Sequence, residues 1–266
     1  MPSKCAPVFD NNKICYTINQ LKCIIKAYNK HHVDKIKIGK NKKDLYESLL
    51  KKFSEECSDG SCILDKSFIN NNTKLKLKKN FKPIMPDNWK NNLDEWLSTL
   101  DINDVMEQYE DKYPNFKFMG AVPIDCPTGY LCSLSNLNLN NLKKNKIYII
   151  GIVFNLDTHD QPGSHWVATL IDSRKNQLMY YDSNGIPPPN KVMPFLKKIL
   201  RNLGKMNKSN AKIFKNNTRH QNGNSECGMF SMNFIIKYLN GLSYDKIIKS
   251  YPTDKEMNQL RKVLYR

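Results

Sequence analysis

Apolar residues recur at intervals of three and four in two stretches near the start of the chain, "YTINQLKCIIKAYNK" and "KDLYESLLKKFSEE", which predicts two short amphipathic helices. The polar and basic "INNNTKLKLKKNFKPIMP" that follows, ending in two prolines, reads as a linker. From about residue 86 the pattern changes. "LDEWLSTLDINDVMEQYEDKY" predicts a turn feeding a helix that starts near Asp101, with Ile102, Val105, Met106 and Tyr109 on its inner face. "KIYIIGIVFNL" is a β-branched run fit for a buried strand, and two more strands, "HWVATLID" and "NQLMYYD", are joined by the turn-like "SRKN". A helix over "VMPFLKKILRNL" and a short strand near "AKIFKN" come next, and the last large element expected is the apolar helix after Cys227. The division is therefore into a helical arm with a basic linker over 1–85 and a second domain over 86–266.

Composition narrows the classes open to the chain. Its 266 residues are enough for one sizeable core, or for one core plus a smaller unit. With 42 Lys+Arg against 25 Asp+Glu the net charge is +17, so nucleic acid, an acidic protein or an anionic surface is a candidate partner through long-range attraction. The lysines are interspersed with asparagines along the whole chain and form no motif. No run approaches the roughly 20 apolar residues of a membrane span, and the start of the chain has no signal-like apolar stretch, so a soluble, intracellular protein is expected. Eight cysteines occur, and no two form a CxxC pair. "CSDGSC" (Cys57, Cys62) and "CPTGYLC" (Cys126, Cys132) are spaced too widely for a zinc knuckle and lack a histidine pair, so no metal is expected and reduced thiols are the default.

Candidate chemistry gathers at four residues. His165 opens one hairpin strand and Asp182 closes the other; their midpoint falls in the turn, so the spacing predicts contact between them on one face of the sheet. A carboxylate there fixes the imidazole tautomer and leaves the second ring nitrogen free as a base. Cys227 stands at the mouth of an apolar helix, where unpaired backbone N–H groups and a nearby histidine stabilise a thiolate. The next residue, Gly228, removes a side chain where a substrate backbone could approach. Gln221, six residues before the cysteine, can donate its amide to an oxyanion beside the N–H of Cys227. His220 lies on the same loop without an acidic partner at a readable distance and ranks well below His165. The other seven cysteines read as small buried hydrophobes.

The sequence "HW" at 165–166, "YYDS" at 180–183 and Q-x5-C-G at 221–228, in the order His, Asp, Gln, Cys, resembles the clan of adenovirus-type and ubiquitin-like-protein-specific cysteine proteases. "EWLSTLDINDVM" is similar to that clan's WLxD-type motif ahead of a helix. More narrowly, "SHWVATLID", "RHQNGNSECG" and "CSDGSCIL" resemble the African swine fever virus protease and its counterparts in large DNA viruses, most clearly over residues 160–232. The resemblance implies an α+β, papain-like core, with a central buried helix packed on a mixed β-sheet and a small helical N-terminal region. It also implies a thiol protease with Cys227 as nucleophile, His165 as general base, Asp182 as the orienting acid and Gln221 in the oxyanion hole, working without a cofactor. Trp166 and Trp96 are similar to the tryptophans that flank the channel for a Gly-Gly backbone; core packing is the other reading of both. The implied activity is cleavage after Gly-Gly in viral core or capsid polyproteins, in the infected cell's cytoplasm and in the virion. Removal of SUMO or ubiquitin-like modifiers is the alternative; Thr99, where the deconjugating members carry Asp, tilts the reading towards the polyprotein. A basic nucleic-acid-binding virion protein with a decayed triad is the second alternative.

Overall fold

A chain break in packing falls at Ile84: in the computed structural model, which describes residues 4–9, 14–57, 59–128, 132 and 134–266, one unit comprises Met1–Ile84 with Tyr265–Arg266 and the other Met85–Leu264. In the first unit α1 (Ile18–His31) starts at a capping box: the Thr17 hydroxyl accepts from Gln20 N while Gln20 Oε1 accepts from Thr17 N. α2 (Lys42–Lys52) is capped by Asn41. Leu21, Ile24 and Ile25 of α1 and Leu45 and Leu49 of α2 close on Tyr16, Phe53 and Phe68 to form this unit's core.

Three expectations are corrected here. The basic stretch is not a linker, because its first half forms α3 (Asn71–Lys78), capped by Asn70, and Ile69, Leu77 and Phe81 are buried in the same core. Three well-spaced apolar anchors suffice to seat a short helix whose lysines stay largely in water. The last two residues, assigned by sequence to the second domain, pack with the first unit. Arg266 N donates to Pro83 O, and its guanidinium donates to Lys82 O and Ser61 Oγ; a two-residue tail has no periodicity from which this could be read. Nor are the cysteines mostly unpaired. Cys5–Cys15, Cys57–Cys62 and Cys126–Cys132 are disulfides with Cα separations of 5.0, 5.5 and 5.3 Å, while Cys23 and Cys227 are free. Each pair closes a loop short enough to bring its Cβ atoms together.

The second unit opens with α4 (Thr99–Met106), two residues earlier than the pattern suggests, because Ser98 caps it: its side chain accepts from Asp101 N, and Asp101 Oδ2 accepts from Ser98 N. Next come α5 (Gln108–Lys112), β1 (Phe116–Pro123), α6 (Leu139–Lys144), β2 (Ile149–Asn155), β3 (Trp166–Asp172), β4 (Gln177–Tyr181) and α7 (Met193–Asn207). β5 (Lys212–Lys215), α8 (Cys227–Leu239), α9 (Tyr244–Lys249) and α10 (Asp254–Leu264) complete it. The sheet runs in the order β1-β2-β3-β4-β5, parallel at its two outer pairs and antiparallel at its two inner ones.

This α+β arrangement fixes where a site can form. On one sheet face Ile152, Phe154, Val167, Ile171 and Tyr180 pack against Phe195, Leu196 and Ile199 of α7. On the other lies α8, buried along nearly its whole length. Gly151 admits it: a Cβ there would stand 3.0 Å from the Phe116 ring and 3.5 Å from Ile235. Ser231 Oγ donates to Trp166 O at 3.2 Å and Tyr238 OH to Asp172 Oδ2 at 2.8 Å, so the helix runs alongside β3 in the same direction. Each large apolar side chain that α8 buries contributes ~1.5–3 kcal/mol. The helix is thereby a rigid base, and its first residue, Cys227, sits at the end of β3 where His165 enters.

Candidate active site

The hairpin register differs from the spacing argument by two residues. Ala168 faces Tyr181 and Asp172 faces Gln177, so the turn centres one residue later than expected. Asn176, in the left-handed region at φ 56°, closes that turn. A slip of two keeps the same face of the sheet. His165 and Asp182 therefore still meet, as diagonal neighbours just beyond the strand ends, with His165 Nε2 donating to Asp182 Oδ1 at 2.7 Å. Asn184, the residue that the true register sets opposite His165, has its side-chain amide 3.4 Å from the same ring nitrogen.

Asp182 is fully buried. Its Oδ1 also accepts from Asn184 N at 2.8 Å, and its backbone is held at both ends by Asn216, which accepts from Asp182 N and donates to Asp182 O. Burial alone would lower the His165 pKa, but hydrogen bonds to Asp182 and Cys227, together with their charges, outweigh it and raise the group to about 9. With Nε2 engaged by the carboxylate, Nδ1 is the nitrogen left for the Cys227 thiol. Cys227 itself is 1% exposed and is the first residue of α8.

Packing within the chain also calls for Gly228. A Cβ there would lie 3.2 Å from Leu97 Cβ and 3.3 Å from Trp166 Cδ1, tighter than ordinary contact. The glycine lets the start of α8 press against Leu97, whose carbonyl accepts from Trp166 Nε1 at 2.9 Å. Gln221 is buried on the loop leading to α8, with Oε1 accepting from Ser183 Oγ at 2.7 Å and Nε2 donating to Gly223 O at 3.0 Å. His220, by contrast, is turned into the core: its Nδ1 meets Tyr181 OH at 3.0 Å, its ring stacks on Tyr251, and burial with the nearby Lys237 lowers its pKa to about 4.

The two tryptophans part company. Trp166 is buried and locked by its indole hydrogen bond, whereas Trp96 is 44% exposed; both border one cleft of about 560 Å³ together with Leu97 and Thr99. The opposite wall, residues 155–163, was missed by sequence reasoning. It is held by Asp157, which accepts from Ser164 Oγ and Gly163 N, and by His159 Nδ1 on Asp125 Oδ2 at 2.7 Å. That hydrogen bond raises the His159 pKa and lowers that of Asp125. The polar "DTHDQPGS" run, with its Pro-Gly, was the only signal for such a loop.

A thiol, an imidazole charged through a buried carboxylate, and an amide on the adjoining loop are the groups that acyl transfer through sulfur requires. Residues 93–266 match the Ulp1 protease family, C-terminal catalytic domain. The chain belongs to the Ulp1 protease family. It is a cysteine protease. A protein of Acanthamoeba polyphaga mimivirus that carries a thiol-protease name is 36% identical over 276 residues, spanning 96% of this chain and 90% of that one. The cysteine protease of African swine fever virus is 26% identical over 255 residues, 85% of this chain and 89% of the relative; in other isolates its counterpart is named a SUMO-1 cysteine protease. The crystal structure of the swine fever virus protease matches this protease with a TM-score of 0.72 at 24% identity, covering 100% of this chain and 96% of that one, and so has the same fold.

Proposed function

We propose that this Ulp1-family protease cleaves polypeptides after Gly-Gly in the processing of viral core or capsid polyproteins, in the cytoplasm of the infected cell and in the virion. Cys227 Sγ attacks the scissile carbonyl carbon, and the oxyanion is received by the Cys227 N–H and the Gln221 side-chain amide. His165, oriented by Asp182, holds the thiol proton as imidazolium and delivers it to the amine as the C–N bond breaks. Water, deprotonated by His165, then attacks the thioester; the C–S bond breaks and the carboxylic acid leaves. The observation that carries this reading is the 2.7 Å hydrogen bond from half-buried His165 to the fully buried Asp182 carboxylate, with the Cys227 thiol at the head of α8 close enough to the imidazole to raise its pKa. The cleft bordered by Trp96 and Trp166, next in sequence to His165, is where the substrate backbone would lie.

Deconjugation of a ubiquitin-like modifier is the second reading, supported by relatives named as SUMO-1 proteases. Against it stands Thr99, which lines the cleft where a modifier-recognising carboxylate would be expected. A panel of substrates separates the two: a fluorogenic peptide ending in Gly-Gly, a folded SUMO fusion with the same ending, and an unfolded polyprotein segment containing internal Gly-Gly sites. The polyprotein reading requires cleavage of the first and third at kcat/KM at least about tenfold above the SUMO fusion. Preference for the folded fusion would transfer the assignment to deconjugation, and loss of selectivity on replacing both glycines by alanine is the accompanying expectation.

A further inference from the structure

Ser183 has no part in the mechanism above, yet it is completely buried between the orienting carboxylate and the oxyanion loop. We infer that Ser183 is a positioning residue that fixes which end of the Gln221 amide faces the oxyanion, an inference that rests on the role proposed above for Gln221. Only the Nε2 end of a glutamine can stabilise developing negative charge, and a half-turn of the amide would present Oε1 and repel it. Two contacts oppose that half-turn. Ser183 Oγ donates to Oε1 at 2.7 Å, and the carbonyl of Gly223, which can only accept, takes one Nε2 hydrogen at 3.0 Å. The second Nε2 hydrogen is left for the substrate.

The backbone reinforces the pairing. Ser183 O accepts from both His220 N at 2.8 Å and Gln221 N at 3.0 Å, so the loop that carries Gln221 is fastened to the residue next to Asp182. From the other side Asp254 accepts from Asn222 N and Gly223 N. One short turn, Asp182–Ser183, thus orients the base with its first residue and the oxyanion donor with its second. Replacing Ser183 by alanine removes the hydroxyl alone and leaves Oε1 buried without a donor, which frees the amide to turn.

The experiment compares wild type, S183A, Q221A, S183A/Q221A and C227A on a Gly-Gly fluorogenic peptide, and measures iodoacetamide alkylation of Cys227 by mass spectrometry. Alkylation uses the thiolate but builds no oxyanion. S183A is expected to lose about tenfold to a hundredfold in kcat, with KM within about threefold and the alkylation rate unchanged. The double variant is expected to be no slower than Q221A, because Ser183 acts only through that side chain. Ser183→Thr keeps the donor and is expected to retain most of kcat, which covers the case of an alanine variant that folds poorly. Wild-type kcat in S183A, losses that multiply in the double variant, or alkylation that falls in step with hydrolysis would each overturn the inference. Activity surviving in C227A would overturn the proposed mechanism instead, independently of Ser183.

Discussion

His165 concentrates the chemistry of the site in one titration. Its pKa of about 9 lies above the ordinary 6.5, because Asp182 and Cys227 favour the imidazolium more than burial disfavours it. The sign follows: the folded state binds this proton more tightly than the unfolded chain, so the resulting stability is full below pH 6.5 and is lost as pH rises through about 9. In the proposed mechanism the imidazolium is also the proton donor to the leaving amine. The kcat/KM profile is therefore expected to fall on its alkaline side with a midpoint near 9, and Asp182→Asn to move that limb to lower pH. A limb unmoved by D182N would separate the carboxylate from the histidine's ionisation. Of the four residues that the sequence singles out, the structure brings His165 onto Asp182 and sets Cys227 at the head of α8 behind the Gln221 loop, and the order of their types along the chain was the signal. Ser183 and Asn216 were not, because a serine and an asparagine in this asparagine-rich chain are unremarkable until their hydroxyl and amide are seen on Gln221 and Asp182.

The elements succeed where their pattern repeats and fail where a few residues decide. The parity of a two-stranded hairpin carried the His165–Asp182 contact through a register error of two, whereas the turn length depended on one left-handed residue, Asn176. β1 escaped notice because Gly120, at φ 109°, and a register break between Phe118 and Ala121 interrupt its alternation. α10 was passed over because its buried positions are Met257, Arg261 and Leu264, and an arginine in the middle of an inner face reads as polar. Gly185 is the element-scale residue most open to test. It turns the chain after Asp182 at φ 71°, and a Cβ there would lie 2.7 Å from the Thr218 carbonyl carbon and 2.9 Å from Arg219 N. Neither neighbour is a flexible side chain. Gly185→Ala is expected to cost about 1–2 kcal/mol for the left-handed backbone and about 1–3 kcal/mol for overpacking, and to push the Gln221 loop away from Asp182. Thermal melting and kcat together check this; a variant with unchanged melting temperature and unchanged kcat would contradict the packing described.

Across the whole molecule, charge and cysteine usage gave the least guidance. A +17 chain admits several anionic partners, and the lysines show no arrangement that selects one. Cysteine count alone gave no sign that six of the eight thiols would close short loops. Under non-reducing conditions two thiols are expected to be alkylated after denaturation, Cys23 and Cys227, and eight after reduction. Reduction should lower the melting temperature, since loops of this length are each worth ~2–3 kcal/mol through the unfolded chain. Eight free thiols without reductant would restore the reading made from composition. The proposed activity rests on α8 delivering Cys227 to His165, and the most direct measurement is kcat/KM on a Gly-Gly peptide for wild type, Cys227→Ala and His165→Ala, each verified as folded. Both substitutions are expected to lower the rate by at least about a thousandfold, and Cys227 in the wild type to react with iodoacetamide faster at neutral pH than in His165→Ala. Hydrolysis within about tenfold of wild type in either variant would contradict the pairing of this thiol with this imidazole.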